Sequence, residues 1–156
     1  MDAATLDTPN RDSTGPESAR AIQILLVDDS RRVRESAQTL LEQRGYQIHL
    51  VDNGFDALCR IVAQPPDIVF MAAAMPELDG YESCALVNAN PQYAHIPIVL
   101  MVTDKGPLEL ARADIAGARC VLVKPFGKRD LLEAVAQALC LVAGNEGEQD
   151  ANDSID

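Results

Sequence analysis

The chain has 156 residues, of which 47% are hydrophobic and 4% aromatic, and its formal net charge at pH 7 is −11. This composition predicts one domain with a core of aliphatic side chains, and the acidic balance argues against nucleic-acid binding, which needs a basic face. The longest apolar run, residues 68–75, suits a buried strand and is too short for a membrane span. Because the N-terminal residues contain no apolar signal segment, we expect a soluble, cytoplasmic protein without membrane insertion.

The negative charge is concentrated at the two ends of the chain. Residues 1–20 carry four acids and two bases, and residues 144–156 carry five acids and no base. Both segments are polar and poor in large apolar residues, which predicts disordered tails around a folded domain at 21–143. The simplest interpretation of the C-terminal tail is a solubilising end; the alternative is docking on a basic partner.

Apolar periodicity divides the middle of the chain into alternating strands and helices. In chain order we predict a strand at 22–27, a helix at 31–44, a strand at 46–51, a helix at 54–64, a strand at 68–71, a helix at 81–89, a strand at 98–102, a helix at 107–116, a strand at 119–123 and a helix at 128–142. Ser30 is a suitable N-cap for the first helix, and Pro91 lies just beyond the end of the third.

This alternation predicts an α/β fold, a flavodoxin-like (βα)5 doubly wound parallel sheet with strand order 2-1-3-4-5. Sites in such sheets lie beyond the carboxyl ends of the strands, at the switch point between strands 1 and 3. The residues at or just after the ends of strands 1, 3, 4 and 5 are Asp28 with Asp29, Ala72, Val102 and Lys124. An alanine therefore occupies the centre of the expected site.

Four motifs in order carry a family resemblance. They are Leu25-Leu26-Val27-Asp28-Asp29-Ser30, Pro66-Asp67-Ile68-Val69-Phe70-Met71, Met75-Pro76 with Asp79-Gly80, and Lys124-Pro125-Phe126. At this spacing, residues 21–143 resemble the receiver domain of bacterial two-component response regulators. Residues 52–58 and 78–87 resemble more narrowly the PilG-type receivers, stand-alone regulators in the chemosensory system that controls type IV pili and twitching motility.

The resemblance implies a phosphoryl-transfer site from which the acceptor is missing. In the family, the acidic pair holds Mg²⁺ together with an aspartate that ends strand 3 and attacks a phosphohistidine, while a lysine after strand 5 neutralises charge. Asp28, Asp29 and Lys124 match these positions, but the acceptor position falls on Ala72, which can neither attack phosphorus nor bind metal. We therefore expect Mg²⁺ binding at Asp28 and Asp29 to be weak or absent, and no other cofactor.

Two further family positions are changed. The Ser or Thr hydroxyl that ends strand 4 is replaced by Val102, although a one-residue irregularity would bring in the hydroxyl of Thr103. The aromatic residue three positions before the lysine is Val121. Three altered positions favour natural loss of the switch over an engineered Asp→Ala change at Ala72, which remains the main alternative.

The resulting hypothesis is a non-enzymatic pseudo-receiver that binds another signalling or motility protein without phosphorylation. The resemblance implies that partners, or the second copy in a homodimer, meet the face of helix 4, strand 5 and helix 5. That face would carry five basic residues, Lys105, Arg112, Arg119, Lys128 and Arg129. A flavodoxin-like ligand binder is a less favoured alternative, because the loop after strand 1 is Asp-Asp-Ser and repels an anionic phosphate.

Overall fold

The computed structural model describes residues 20–143, with their side chains up to residue 139. The two tails predicted for 1–20 and 144–156 lie outside these residues, apart from Arg20. The domain boundaries therefore remain predictions.

Five strands alternate with five helices along the described chain. They are β1 (Gln23–Val27), α1 (Arg31–Glu42), β2 (Gln47–Val51), α2 (Gly54–Ala63), β3 (Ile68–Ala72), α3 (Gly80–Ala89), β4 (Ile98–Val102), α4 (Pro107–Ala116), β5 (Cys120–Val123) and α5 (Lys128–Ala143). Every predicted element is present, and most boundaries agree within one residue.

The strands form one parallel sheet in the order β2-β1-β3-β4-β5, so the predicted 2-1-3-4-5 topology is confirmed. Helices α1 and α5 pack against each other, while α2, α3 and α4 pack in succession. The sheet is thus covered on both faces, which explains why β3 and β4 are buried at every position and β1 at four of its five. No helix among residues 20–143 is both long enough and apolar enough to span a membrane.

The first helix is shorter than its pattern predicts. It ends at Glu42, and Gln43 forms the C-cap. Gly45 adopts the left-handed conformation with φ of 87°, so the chain leaves the helix before the predicted end at residue 44. The third strand is one residue longer than predicted and includes Ala72.

Helix caps fix the loops at the carboxyl edge of the sheet. Ser30 accepts a hydrogen bond from the Val33 N–H at 3.3 Å, which confirms it as the N-cap of α1. Asp79 and Glu82 form a reciprocal capping box at the start of α3. These caps hold the two loops that follow β1 and β3 in defined positions beside the predicted site.

Candidate functional site

A buried ion pair joins the ends of the first and fifth strands. Asp28 is fully buried, and its Oδ2 accepts a hydrogen bond from Lys124 Nζ at 2.8 Å. Its Oδ1 accepts one from the Ser30 N–H at 2.9 Å. Both carboxylate oxygens are therefore occupied, while the neighbouring Asp29 is exposed. The structure brings Asp28 and Lys124 together as predicted, although their roles remain predictions.

An arginine that was not among the predicted site residues also contacts the loop after β1. Arg34, in the first turn of α1, donates through Nη1 to the Asp28 carbonyl oxygen at 2.7 Å. The available signal was the absence of any acidic residue from the first turn of α1. A helix N-terminus normally favours acids, so arginines in this turn suggest a role other than stabilising the helix.

Ala72 is the last residue of β3 and is fully buried. The Ala73 N–H donates to the Met101 carbonyl at 2.8 Å, and the Gly80 N–H donates to the Ala73 carbonyl at 2.9 Å. Gly80 packs directly against the Ala72 carbonyl oxygen, which leaves no room for a β-carbon at position 80. The backbone around Ala72 is thus held on two sides, and its side chain offers only a methyl group.

The end of β4 is regular. Val102 is buried and pairs with Val123, and the Lys124 N–H donates to the Val102 carbonyl at 2.7 Å. Since this register contains no extra residue, the irregularity that would bring in Thr103 does not occur, and Thr103 is exposed. The position that would supply a hydroxyl is therefore an apolar side chain in the sheet.

These residues offer Mg²⁺ fewer free oxygen ligands than the resemblance implies, and weak binding at Asp28 and Asp29 stays a prediction. Mg²⁺ requires near-octahedral oxygen ligands, usually including one or two carboxylates that are free to coordinate. Here Asp28 is engaged by an ammonium group and a backbone N–H, and the side chain at position 72 contributes no oxygen, so the exposed Asp29 is the carboxylate left free. Within residues 20–143, no group of three His, Cys, Asp or Glu side chains is arranged to hold a metal ion.

A cleft of about 230 Å³ lies beside Ala73, Val102 and Lys124, between the loops that follow β3 and β4. Its outer wall contains Tyr81, whose ring lies 4.0 Å from the Arg112 guanidinium, and Asp79, which is 3.8 Å from the same guanidinium. Burial raises the pKa of the Tyr81 phenol, and the nearby Arg112 opposes this shift. Arg112 therefore belongs to the contact between α3 and α4 at the site, and not to a free basic face.

The other predicted interface residues fall into two places. Lys105 and Arg119 line a groove of about 270 Å³ beside the half-buried Val121. Lys128 and Arg129 are exposed in the first turn of α5. Lys105 also borders the start of α5, because it lines a groove of about 330 Å³ with Pro125 and Asp130. That Lys105, Arg119, Lys128 and Arg129 share one interaction face stays a prediction.

Comparisons with known proteins agree with this geometry. The family model described as the response regulator receiver domain matches residues 24–136. This chain belongs to the response regulator receiver family. Receiver domains of this family serve two-component and chemotaxis signalling.

Individual relatives fit the same family. Protein PilG of Pseudomonas aeruginosa is 34% identical over 119 residues, which cover 76% of this receiver and 88% of PilG. Response regulator MprA of a Mycobacterium species is 34% identical over 126 residues, but the match covers only 54% of that protein. The solved structure of the chemotaxis response regulator CheY4 of Vibrio cholerae superposes with a TM-score of 0.73 at 28% identity, covering 76% of this chain and 99% of CheY4.

Proposed function

We propose that this receiver domain is a pseudo-receiver, a non-enzymatic interaction module that works without phosphorylation. The observation that carries the proposal is Ala72, fully buried at the end of β3 where the family places its acceptor aspartate. An acyl phosphate requires a carboxylate nucleophile, and a methyl group cannot replace it.

The buried carboxylate that remains is already paired without a phosphoryl group or a metal. Lys124, the cation that would meet a phosphoryl oxygen, is paired with Asp28 at 2.8 Å. Val102 and Val121 supply neither a hydroxyl nor an aromatic ring for coupling the site to the surface. A switch needs two alternative packings of comparable free energy, so these apolar positions favour a single state.

The surface proposed to bind the partner is the groove beside Val121, which is lined by Lys105, Leu110 and Arg119. Its combination of an exposed leucine and two cations suits another signalling or motility protein with an acidic, partly apolar surface. The resemblance to PilG-type receivers favours a role in type IV pilus control, and the same face could serve a homodimer.

Charge reversal tests this surface. We expect Arg119→Glu to weaken binding of a chemosensory partner about tenfold, since reversing a charge at an interface rim costs roughly 1–2 kcal/mol. Arg44→Glu, at an exposed position after α1, is the matched control and should leave the affinity unchanged. Equal affinities for the two variants in calorimetric titrations would place the interface elsewhere.

Phosphorylation itself is tested by intact mass after incubation with a small phosphodonor and Mg²⁺. The natural sequence should gain no phosphoryl group, whereas Ala72→Asp should gain one. In the same buffers, Mg²⁺ should raise the melting temperature of the natural sequence less than that of Ala72→Asp, because the latter has a third carboxylate. A hydroxylamine-labile phosphoryl group on the natural sequence would refute the proposal.

A further inference from the structure

A second groove lies between α1 and the loop from β5 to α5. It is separate from the proposed partner surface and adjoins the cleft beside Ala73, Val102 and Lys124, here called the acceptor cleft, with which it shares Thr103 and Lys124. Its volume is about 370 Å³. Its lining is mainly apolar and consists of Arg32, Val33, Ser36, Thr103, Lys124, Pro125 and Phe126. We define these residues as the α1–α5 groove.

The helix ends beside this groove carry cations where helices favour anions. The first turn of α1 contains Arg31 and Arg32 and no acid, and α5 begins with Lys128 and Arg129 before the acid Asp130. The positive end of a helix dipole is stabilised by acids and destabilised by bases. These four positions are therefore unfavourable for helix stability, which points to a role in contacting negative charge.

Most of this positive charge is not neutralised by nearby acids. Arg31 pairs with Glu35 at 2.9 Å, but Arg32, Lys128 and Arg129 form no salt bridge with any other residue of the 20–143 segment. The nearest acid in α5, Asp130, is engaged in accepting the Gly127 N–H at 3.1 Å. The groove thus combines an apolar floor with Arg32 in its lining, and the cations Lys128 and Arg129 follow Phe126 closely along the chain.

We infer that the occupant of the α1–α5 groove is the chain's own acidic segment, residues 144–156. This segment carries five acids and no base, in charge complementarity with the groove. It also contains Ile155 between Asp153 and Asp156, an apolar side chain flanked by carboxylates. Such a sequence matches an apolar floor with a basic rim better than it matches the acid-lined acceptor cleft.

The length of the segment is sufficient. Helix α5 has 16 residues and so extends about 24 Å from its start beside the groove to Ala143. Returning over that distance needs less than the roughly 40 Å that the 12 residues from 144 to 155 can span when extended. Because α1 packs against α5, the return path lies along the surface of the described domain.

Docking of this segment would cover the exposed side of Pro125 and Phe126 and the approach to Lys124. The docked segment would compete with any acidic partner for the same cations. Because most of the attraction is between exposed charges, the contact should weaken as ionic strength rises. This inference does not depend on whether the receiver is phosphorylated.

Amide NMR spectra of the full chain and of a chain truncated after residue 143 test the inference. We expect chemical-shift differences at Val33, Ser36 and Phe126, with none at the groove beside Val121. Adding a synthetic peptide of residues 144–156 to the truncated chain should restore the shifts, and a peptide with its acids replaced by amides should not. Identical groove shifts in the full and truncated chains would overturn the inference.

Two substitutions separate specific docking from general attraction. Lys128→Gln should reduce the shift differences, whereas Lys105→Gln, an exposed cation outside the groove, should leave them unchanged. Ile155→Ser should reduce them through loss of the apolar anchor. Shifts that grow with protein concentration would mean that the segment docks on a second copy, and would refute the intramolecular contact.

Discussion

Lys124 stabilises the folded domain by pairing with a buried carboxylate. Its side chain is only 19% exposed, and it neutralises the fully buried carboxylate of Asp28. A buried carboxylate without its cation is strongly unfavourable, because the low-dielectric interior solvates charge poorly. The ion pair therefore explains why the lysine would persist in a receiver that does not bind phosphate.

Replacing this lysine should destabilise the domain. We expect Lys124→Met to lower the free energy of unfolding by about 3 kcal/mol, since it leaves Asp28 buried and unpaired. Urea denaturation measures the effect, with Lys105→Met as the exposed control, for which a change within about 0.5 kcal/mol is expected. A loss below about 1 kcal/mol for Lys124→Met would show that the pair contributes little.

His49, on β2, forms partly buried polar contacts with Arg60 and Gln23. Its Nδ1 lies 2.6 Å from Arg60 Nη2, and its Nε2 lies 2.8 Å from Gln23 Oε1. A guanidinium can only donate, so Nδ1 must accept and the imidazole must be neutral. Burial lowers the pKa of His49 below its ordinary value of 6.5, and the Arg60 charge lowers it further.

This lowered pKa predicts acid sensitivity. The unfolded chain protonates this histidine at a higher pH than the folded chain does. The stability that the neutral His49 contributes is therefore fully present above pH 6.5 and is lost as the pH drops through 6.5 towards the lowered folded pKa. Unfolding curves recorded across this range should show a smaller decline for His49→Gln than for the natural sequence. His95→Gln, at the other and exposed histidine, is the control, and an equal reduction there would contradict the assignment.

At the scale of elements, the start of α3 is fixed by its contact with β3. A β-carbon at Gly80 would press against the Ala72 carbonyl and lie 2.9 Å from the Ala73 α-carbon. Both atoms belong to the backbone and cannot move aside easily. The close approach of α3 to the end of β3 therefore requires glycine at this position.

We therefore expect an alanine substitution to destabilise the domain at Gly80 but not at Gly127. Gly80→Ala should reduce the free energy of unfolding by about 2 kcal/mol through overpacking. Gly127→Ala is the matched control, because a β-carbon there meets no atom within 4 Å. Thermal unfolding compares the two, and similar melting temperatures would show that α3 shifts without penalty.

Most of the fold could be predicted at this scale because buried parallel strands give unbroken apolar runs. Residues 98–102 and 107–116 were placed with the bounds that the structure shows. The end of α1 was misplaced by two residues, since Gln43 and Arg44 suit a helix locally and only the packed structure ends it earlier. The contacts of Arg34 and Arg112 were not predictable, because they depend on which helix flank faces its neighbour.

At the scale of the whole molecule, topology explains why distant motifs meet. Parallel strands bring Asp28, Ala72, Val102 and Lys124 to one edge of the sheet, and 96 positions separate the two members of the ion pair. Outside the acceptor cleft, the same fold gives this receiver a groove beside Val121 and another between α1 and α5. Its proposed activity lies on these surfaces.

The proposed loss of switching follows from Ala72, Val102 and Val121, whose side chains supply no acceptor, hydroxyl or aromatic ring at the three family positions. Amide NMR of Ala72→Asp with phosphodonor and Mg²⁺ tests it most directly, beside the triple variant Ala72→Asp, Val102→Thr, Val121→Tyr. We expect the single variant to gain a phosphoryl group but to show chemical-shift changes only around the ends of β3 and β5. The triple variant should also show chemical-shift changes along α4. Shifts along α4 in the single variant as large as those in the triple variant would contradict it.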